Sequence, residues 1–366
     1  MRNIMIVIGT RPEAVKMAPV YHELRSRAEF DVTLCVTAQH REMLDQMLTA
    51  LSLTPDIDLD IMKSRQTLNG VVSAVLTGMS GVLEKYKPDV LLVHGDTATT
   101  FAASLAAFHA GITVGHVEAG LRSWDKSAPF PEEIYRTMVD DIADIYFAPT
   151  ELSKANLLKE GKPEAAIRVT GNTAIDALKL TVRPDYTSPD LDWAQDSRLI
   201  LLTAHRHENL GDKMLSVFRA IQRIVESRPD VKVIYPVHLN PVVREAASSV
   251  FGEGNDRVRL IEPLGVIDFH NYLKRSYLVL TDSGGIQEEA PSLNVPVLVT
   301  RDVTERPEGI TAGTLKLVGT DEETVYSSIA ELLNNRELRD KMANSPNPYG
   351  DGEASKRIAD VLSKKQ

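Results

Sequence analysis

"SYLVLTDSGGIQEEAPS", residues 276–292, runs from an apolar stretch through two adjacent glycines to a pair of adjacent glutamates. The apolar part has the composition of a buried strand, and Ser283 is of the type that opens helices. Between them Gly284 and Gly285 carry no side chain, so backbone N–H groups can approach a ligand closely. The stretch reads as a strand-to-helix junction. Successive helical residues point about 100° apart, so at most one of Glu288 and Glu289 faces that ligand.

The same alternation continues outward along the whole chain. Strands are expected at "NIMIVIGT", "DVTLCVTA", "DVLLVHGD", "TVGHVEAG", "IYFAPT" and "IRVTG", then at "LILLTAHR", "VKVIYPVHL", "VRLIEPL", "YLVLTDSGG", "VPVLVTR" and "LKLVG". Helical patterns such as "MLDQMLTAL" and "TTFAASLAAFHA" separate them. Several runs are apolar nearly throughout, as expected of parallel strands covered on both faces. This order predicts an α/β protein with two open, doubly wound parallel sheets. The Pro-, Asp- and Ser-rich stretch 181–197 is the expected linker, with a hinge between 171 and 197. "ASKRIADVLSKK" is expected to form a terminal amphipathic helix.

A chain of 366 residues, 43% hydrophobic and 25% charged, suits a soluble protein of two domains. The net charge of −10 argues against a nucleic-acid or membrane-surface binder, yet leaves room for an anionic small ligand at a helix N-terminus. No apolar run approaches the ~20 residues of a bilayer span. The opening "MRNIMIVIGTRPE" lacks the features of a signal peptide. The single cysteine, Cys35, excludes an internal disulfide. A cytoplasmic location is expected.

Chemistry-bearing residues gather at strand ends, the rim where open α/β sheets bind ligands. "GTRPEAVKMAP" (9–19) places Arg11 and Lys16 beside a helix start, but it is neither a Walker A loop nor a GxGxxG fingerprint, so no nicotinamide cofactor is expected. "HGDT" (94–97) and "GHVEAGLRS" (115–123) place Asp96 and Glu118 at successive strand ends. "FPEEIYR" (130–136) adds Glu132 and Glu133. Each acid alone could be a cap or a surface charge; together they suggest an acid–base cluster. In "TAHRHENLG" (203–211), His205 and His207 would share one strand face, where they could chelate a metal. Without a carboxylate partner the better role for His205 is with phosphate or in proton transfer, and no metal is expected. Ser283, Gly284 and Gly285 suit a diphosphate, and Glu288 or Glu289 a ribose diol.

Ten blocks occur in order across nearly the whole chain: "GTRPEAVKMAP", "VTAQHREMLDQ", "VHGDT", "GHVEAGLRS", "PFPEEIYR", "GNTAIDAL", "TAHRHENLG", "YPVHLNP", "TDSGGIQEEAP" and "TERPE". They closely resemble the non-hydrolysing UDP-N-acetylglucosamine 2-epimerases. The resemblance implies a GT-B-like fold of two Rossmann-like domains with the active site between them, here 1–171 and 172–351. It further implies that the helix 352–366 returns to the first domain, and that the protein is a cytoplasmic homodimer feeding cell-surface polysaccharide synthesis. It assigns Asp96, Glu118, Glu132 and His205 to catalysis. Arg11, Lys16, Ser283, Gly284, Gly285, Glu289 and Arg306 fall to UDP, with Phe269 and Leu264 near the uracil. A second, regulatory UDP-N-acetylglucosamine is implied at Gln39, Arg65, Gln66 and His238. Two departures stand out: His207 where many relatives have arginine, and Leu264 where some have a polar residue.

The implied chemistry, conversion of UDP-N-acetylglucosamine to UDP-N-acetylmannosamine, can be reasoned independently. The C2 hydrogen of the sugar has no adjacent carbonyl, so direct abstraction is hard. Elimination of UDP across C1–C2 gives a 2-acetamidoglucal, and re-addition with a proton on the other face gives the epimer. This requires acid–base groups on both faces and firm retention of UDP. A GT-B glycosyltransferase, a hydrolysing epimerase and a non-catalytic nucleotide-sugar sensor are the competing readings.

Overall fold

Valine-, isoleucine- and leucine-rich runs become two separate parallel sheets. The structure is a computed structural model that describes residues 1–37, 41–61, 66–252 and 256–364. Its contacts fall into two units, Met1–Leu180 with Tyr349–Gln366, and Thr181–Pro348.

The first unit holds β1 (Arg2–Ile8), β2 (Phe30–Val36), β3 (Ile57–Asp58), β4 (Val90–His94), β5 (Thr113–Val117), β6 (Ile145–Ala148) and β7 (Ile167–Val169). Their spatial order is β3-β2-β1-β4-β5-β6-β7. β3 has two residues, too few for periodicity to mark it in the sequence. Ile4 through Ile8 are all buried, so β1 is covered on both faces. Met5 and Val7 join a core with Val75, Met79 and Ala102, while the helix Arg11–Ser26 packs on β1 and β2.

The second unit holds β8 (Arg198–Thr203), β9 (Val231–Pro236), β10 (Val258–Ile261), β11 (Leu278–Thr281), β12 (Val297–Val299) and β13 (Leu315–Leu317), ordered β10-β9-β8-β11-β12-β13. Ile200 and Leu202 meet Val217, Phe218 and Ile221 in its core. Both sheets are parallel throughout and share the strand order of dinucleotide-binding folds. The chain therefore has two switch points, one between β1 and β4 and one between β8 and β11. At each, loops leave the carboxyl ends of neighbouring strands in opposite directions and open a crevice. Among the described residues no helix is long and apolar enough to cross a membrane.

The division after Leu180 lies downstream of 171 because the helix Thr173–Thr181 buries Ala174, Ile175, Ala177 and Leu178. Asp176 on that helix accepts the backbone N–H of Ala354 at 3.2 Å and of Ser355 at 2.8 Å, capping the terminal helix Ala354–Ser363. That helix packs on Arg11–Ser26, with Ile358, Ala359 and Leu362 buried and Asp360 paired to Arg27 at 2.7 Å. The stretch 181–197 is not a loose connection. It contains the helix Pro189–Ala194, capped by Ser188, and buries Leu191 and Ala194 in the second unit. The Tyr186 hydroxyl donates to Asp268 at 2.6 Å, fixing the segment further.

Candidate active site

In the first unit, the switch point gathers Glu118, Lys16, His94 and Asp96. Glu118 follows β5 with φ at 68°, a left-handed conformation that costs a non-glycine residue about 1–2 kcal/mol. Its carboxylate meets Lys16 Nζ at 2.5 Å and lies 3.2 Å from His94 Nε2, off the ideal hydrogen-bond direction. Asn172 Nδ2 donates to it at 3.5 Å. Burial pushes the His94 imidazole down to about 3, with Lys16 and His116 lowering it further against the pull of Glu118. His94 is thus a neutral wall beside the carboxylate near pH 7. Lys16, expected at the diphosphate, contacts Glu118 directly.

Asp96, after β4, forms an ion pair with Arg136, which also reaches Glu133 at 3.3 Å. The adjacent glutamates 132 and 133 have separated roles. Glu133 is buried and accepts the N–H of Ser123 at 3.0 Å and of Trp124 at 2.8 Å, pinning the loop after Glu118. Glu132, the first residue of the helix Glu132–Ile142, is half-buried.

Buried polar groups hold these loops in place. Glu13 accepts the Gly9 N–H at 3.0 Å, the Thr97 hydroxyl at 2.8 Å and the Thr100 hydroxyl at 3.0 Å, tying the loop after β1 to the loop after β4. Burial raises its pKa, and these hydrogen bonds oppose the rise. Fully buried His116 donates from Nε2 to the Gly95 carbonyl at 2.7 Å, while its Nδ1 meets Asp140 at 2.6 Å. Asp140 also accepts the Gly120 N–H at 3.1 Å and Arg122 Nη2 at 2.7 Å. One carboxylate therefore braces the loops of both Asp96 and Glu118. Burial pushes Asp140 up, but His116 and Arg122 outweigh it and hold the carboxyl below its usual range.

In the second unit, the helix Gly284–Ser292 begins at the switch point. Ser283 makes no side-chain capping hydrogen bond there. The Arg306 guanidinium lies beside this N-terminus: a Cβ on Gly284 would be 3.5 Å from its Cζ. A helix N-terminus with an adjacent cation is an anion cradle. The adjacent glutamates part company here too. Glu288 is buried and accepts Arg306 Nε at 2.7 Å, whereas Glu289 Oε2 faces His270 Nε2 at 3.4 Å. His270 is itself fixed by the Thr181 hydroxyl at 2.7 Å from Nδ1. Phe269 lies next to His270 on the helix Val266–Lys274, and Leu264 in the turn before it; both are half-buried.

His205 lies just beyond β8, which stops at Thr203 because Asp282 Oδ2 takes the N–H groups of His205 and Arg206, each at 2.8 Å. The shared strand face expected for His205 and His207 does not form, since residues 207–209 make a short 3-10 turn. The His205 ring stacks on His238 at 5.7 Å and 21°, so the histidine expected at a second site adjoins the one expected in catalysis. Gln66 donates to the Ile61 carbonyl at 2.7 Å. Gln39 and Arg65 lie outside the described residues. Arg11 opens its helix half-buried. The supporting residues Glu13, His94, Arg136, His270 and Asp282 were not singled out from sequence; only their proximity to the motifs could have marked them.

Each unit thus offers one half of a chemistry: carboxylates with nearby cations in the first, an anion cradle and an exposed imidazole in the second. The family model of UDP-N-acetylglucosamine 2-epimerases matches residues 22–363. A UDP-N-acetylglucosamine 2-epimerase of Bacillus subtilis (strain 168) is 59% identical over 98% of this chain and 94% of its own length. A crystal structure of a UDP-N-acetylglucosamine 2-epimerase superposes with a TM-score of 0.94 at 56% identity, covering 100% of this chain and 98% of the other. The enzyme from Neisseria meningitidis, solved bound to UDP-GlcNAc, gives 0.87 at 45% identity over 99% and 100%. With the family match spanning nearly the whole chain and both sheets in place, this chain belongs to the UDP-N-acetylglucosamine 2-epimerase family.

Proposed function

We propose that the protein interconverts UDP-N-acetylglucosamine and UDP-N-acetylmannosamine by eliminating and re-adding UDP. The observation that carries this reading is the convergence of Glu118, Asp96 and their cations at one switch point, while the other presents an anion cradle. A carboxylate removes the C2 proton as the C1–O bond breaks, and the bonding pair leaves with the β-phosphate. UDP and 2-acetamidoglucal result. In the return step a UDP oxygen attacks C1, while C2 takes a proton on the opposite face. Asp96, Glu118 and Glu132 supply the acid–base groups, and Ser283, Gly284, Gly285 and Arg306 hold the diphosphate. Glu289 takes the ribose diol, and His205 lies against the leaving phosphate. Arg11 adds charge to the diphosphate, and Phe269 and Leu264 border the uracil.

Proton NMR of the purified protein with UDP-N-acetylglucosamine in D2O tests this directly. The expected result is a UDP-N-acetylmannosamine signal whose C2 position carries deuterium. Free sugar would indicate hydrolysis, transfer to an acceptor a glycosyltransferase, and no turnover a sensor. A product that keeps its original C2 hydrogen would sink the elimination.

Regulation by a second UDP-N-acetylglucosamine belongs to the same reading, and the stacking of His238 on His205 supports it. Coupling between two such sites typically changes affinity about 5–150-fold. Turnover starting from UDP-N-acetylmannosamine should show a lag that a trace of UDP-N-acetylglucosamine abolishes, and His238→Ala should blunt that response. Lag-free kinetics indifferent to the added sugar would dismiss a regulatory site.

A further inference from the structure

The Asp of "TDSGG" has no role in the chemistry described so far, yet it is fully buried at the switch point of the second unit. Ser283, not Asp282, is the residue that precedes the helix Gly284–Ser292, so Asp282 is not its cap. Its two carboxylate oxygens have separate tasks. Oδ2 accepts both backbone N–H groups of residues 205 and 206, and Oδ1 faces His205 Nδ1 at 3.1 Å, off the ideal hydrogen-bond direction. Holding the backbone would occupy Oδ2 alone. A buried carboxylate costs several kcal/mol of desolvation unless its oxygens are matched, so the placement of Oδ1 against the ring calls for a partner there.

We propose that Asp282 is the positioning residue of His205, drawing the ring proton to Nδ1 and so presenting Nε2 to the ligand.

The surroundings agree. His205 is 41% exposed at its side chain, whereas Asp282 is 0% exposed, so the ring has one anchored edge and one open edge. His238 stacks on one ring face and is itself oriented by the Asn240 N–H on its Nδ1 at 3.2 Å. Tyr235 donates to the Ala204 carbonyl at 2.7 Å and steadies the preceding residue. Burial pushes the Asp282 carboxyl up, but His205 and the backbone N–H groups prevail and hold it below its usual range. Which imidazole nitrogen carries the proton is set by the hydrogen bond made at the other. An asparagine at 282 has one acceptor oxygen. It can satisfy the backbone or the ring, but not both.

The role of Asp282 rests on His205 acting on the ligand, and the test separates the two. Nitrogen-15 NMR of histidine-labelled protein, with the His205 signal assigned by its loss in His205→Asn, reads the tautomer. The wild type should show protonated Nδ1 at His205, and Asp282→Asn should shift the ring towards protonated Nε2. In the same variant kcat should fall by about 10²-fold, with KM and UDP affinity within about threefold of the parent. A wild-type ring protonated at Nε2 in its neutral form overturns the assignment, even if Asp282→Asn does not fold. So does a variant with unchanged tautomer, whatever its activity, because a merely structural carboxylate would not move that signal. If His205→Asn keeps the parent kcat, the reading of His205 fails and takes the role of Asp282 with it, while the tautomer shift still reports whether the pairing exists.

Discussion

Glu118→Gln should lower kcat by about 10²–10⁴-fold while leaving UDP affinity near that of the parent. Glutamine keeps the shape of the side chain and removes its ability to take a proton. It also removes the charge opposite Lys16, at 2.5 Å in the wild type. Lys16 would then remain as a cation beside the sugar nucleotide, so ground-state binding should not weaken. Asp96→Asn and Glu132→Gln should behave alike, with Asp96→Asn also breaking the pair to Arg136. Arg306→Ala supplies the contrast. Loss of a hydrogen bond to a charged group costs ~1.5–3 kcal/mol, so UDP should bind roughly 10–100-fold more weakly. Steady-state kinetics together with calorimetric UDP titration separate the two classes. If the carboxylate variants lost only affinity, these residues would form a binding surface and not the reacting one.

The contrast also indicates how far sequence alone reaches. The βα alternation, both sheets and the strand-end placement of Asp96, Glu118, His205 and Ser283 are legible, because each follows from a local apolar run broken by a polar turn. Neighbouring acids are harder to tell apart. "EE" at 132–133 and "EE" at 288–289 look alike in sequence, and in each pair one glutamate is consumed by structure. Glu133 takes backbone N–H groups nine and ten residues away, and Glu288 takes Arg306. Helical geometry predicts that the two must diverge, but not which one turns inward. The supporting pairs are hidden for a different reason. Asp140 and His116 are joined only by a helix packing on its strand, and Asp282 and His205 only by two strands meeting in a sheet, so no spacing in the sequence encodes them. The end of β8 shows the same limit: "LILLTAHR" is apolar enough to continue, and a carboxylate 76 residues away from Arg206 stops it.

Gly120→Ala should strongly destabilise the first unit. Gly120 has φ at +85°, which an alanine adopts at a cost of about 1–2 kcal/mol. The new Cβ would also stand 2.3 Å from the Ser153 carbonyl oxygen and 2.9 Å from Leu157 Cγ. Leucine can turn aside, but the carbonyl belongs to the helix Glu151–Lys159 and cannot move without its neighbours. Overpacking of this kind typically adds about 1–3 kcal/mol. Gly120 is also tethered at both backbone groups, its N–H to Asp140 at 3.1 Å and its carbonyl to Asn156 at 3.0 Å, so displacement breaks the brace beneath Glu118. A combined loss of about 2–5 kcal/mol corresponds to a fall in apparent Tm of roughly 5–15 °C for a unit of this size. Gly161 is the internal control: its φ is +79°, but nothing lies within 4 Å of an added Cβ. Gly161→Ala should therefore show the backbone cost alone. Thermal denaturation of the two variants side by side isolates the clash, and equal melting temperatures would mean that the Ser153 helix yields where its packing says it should not.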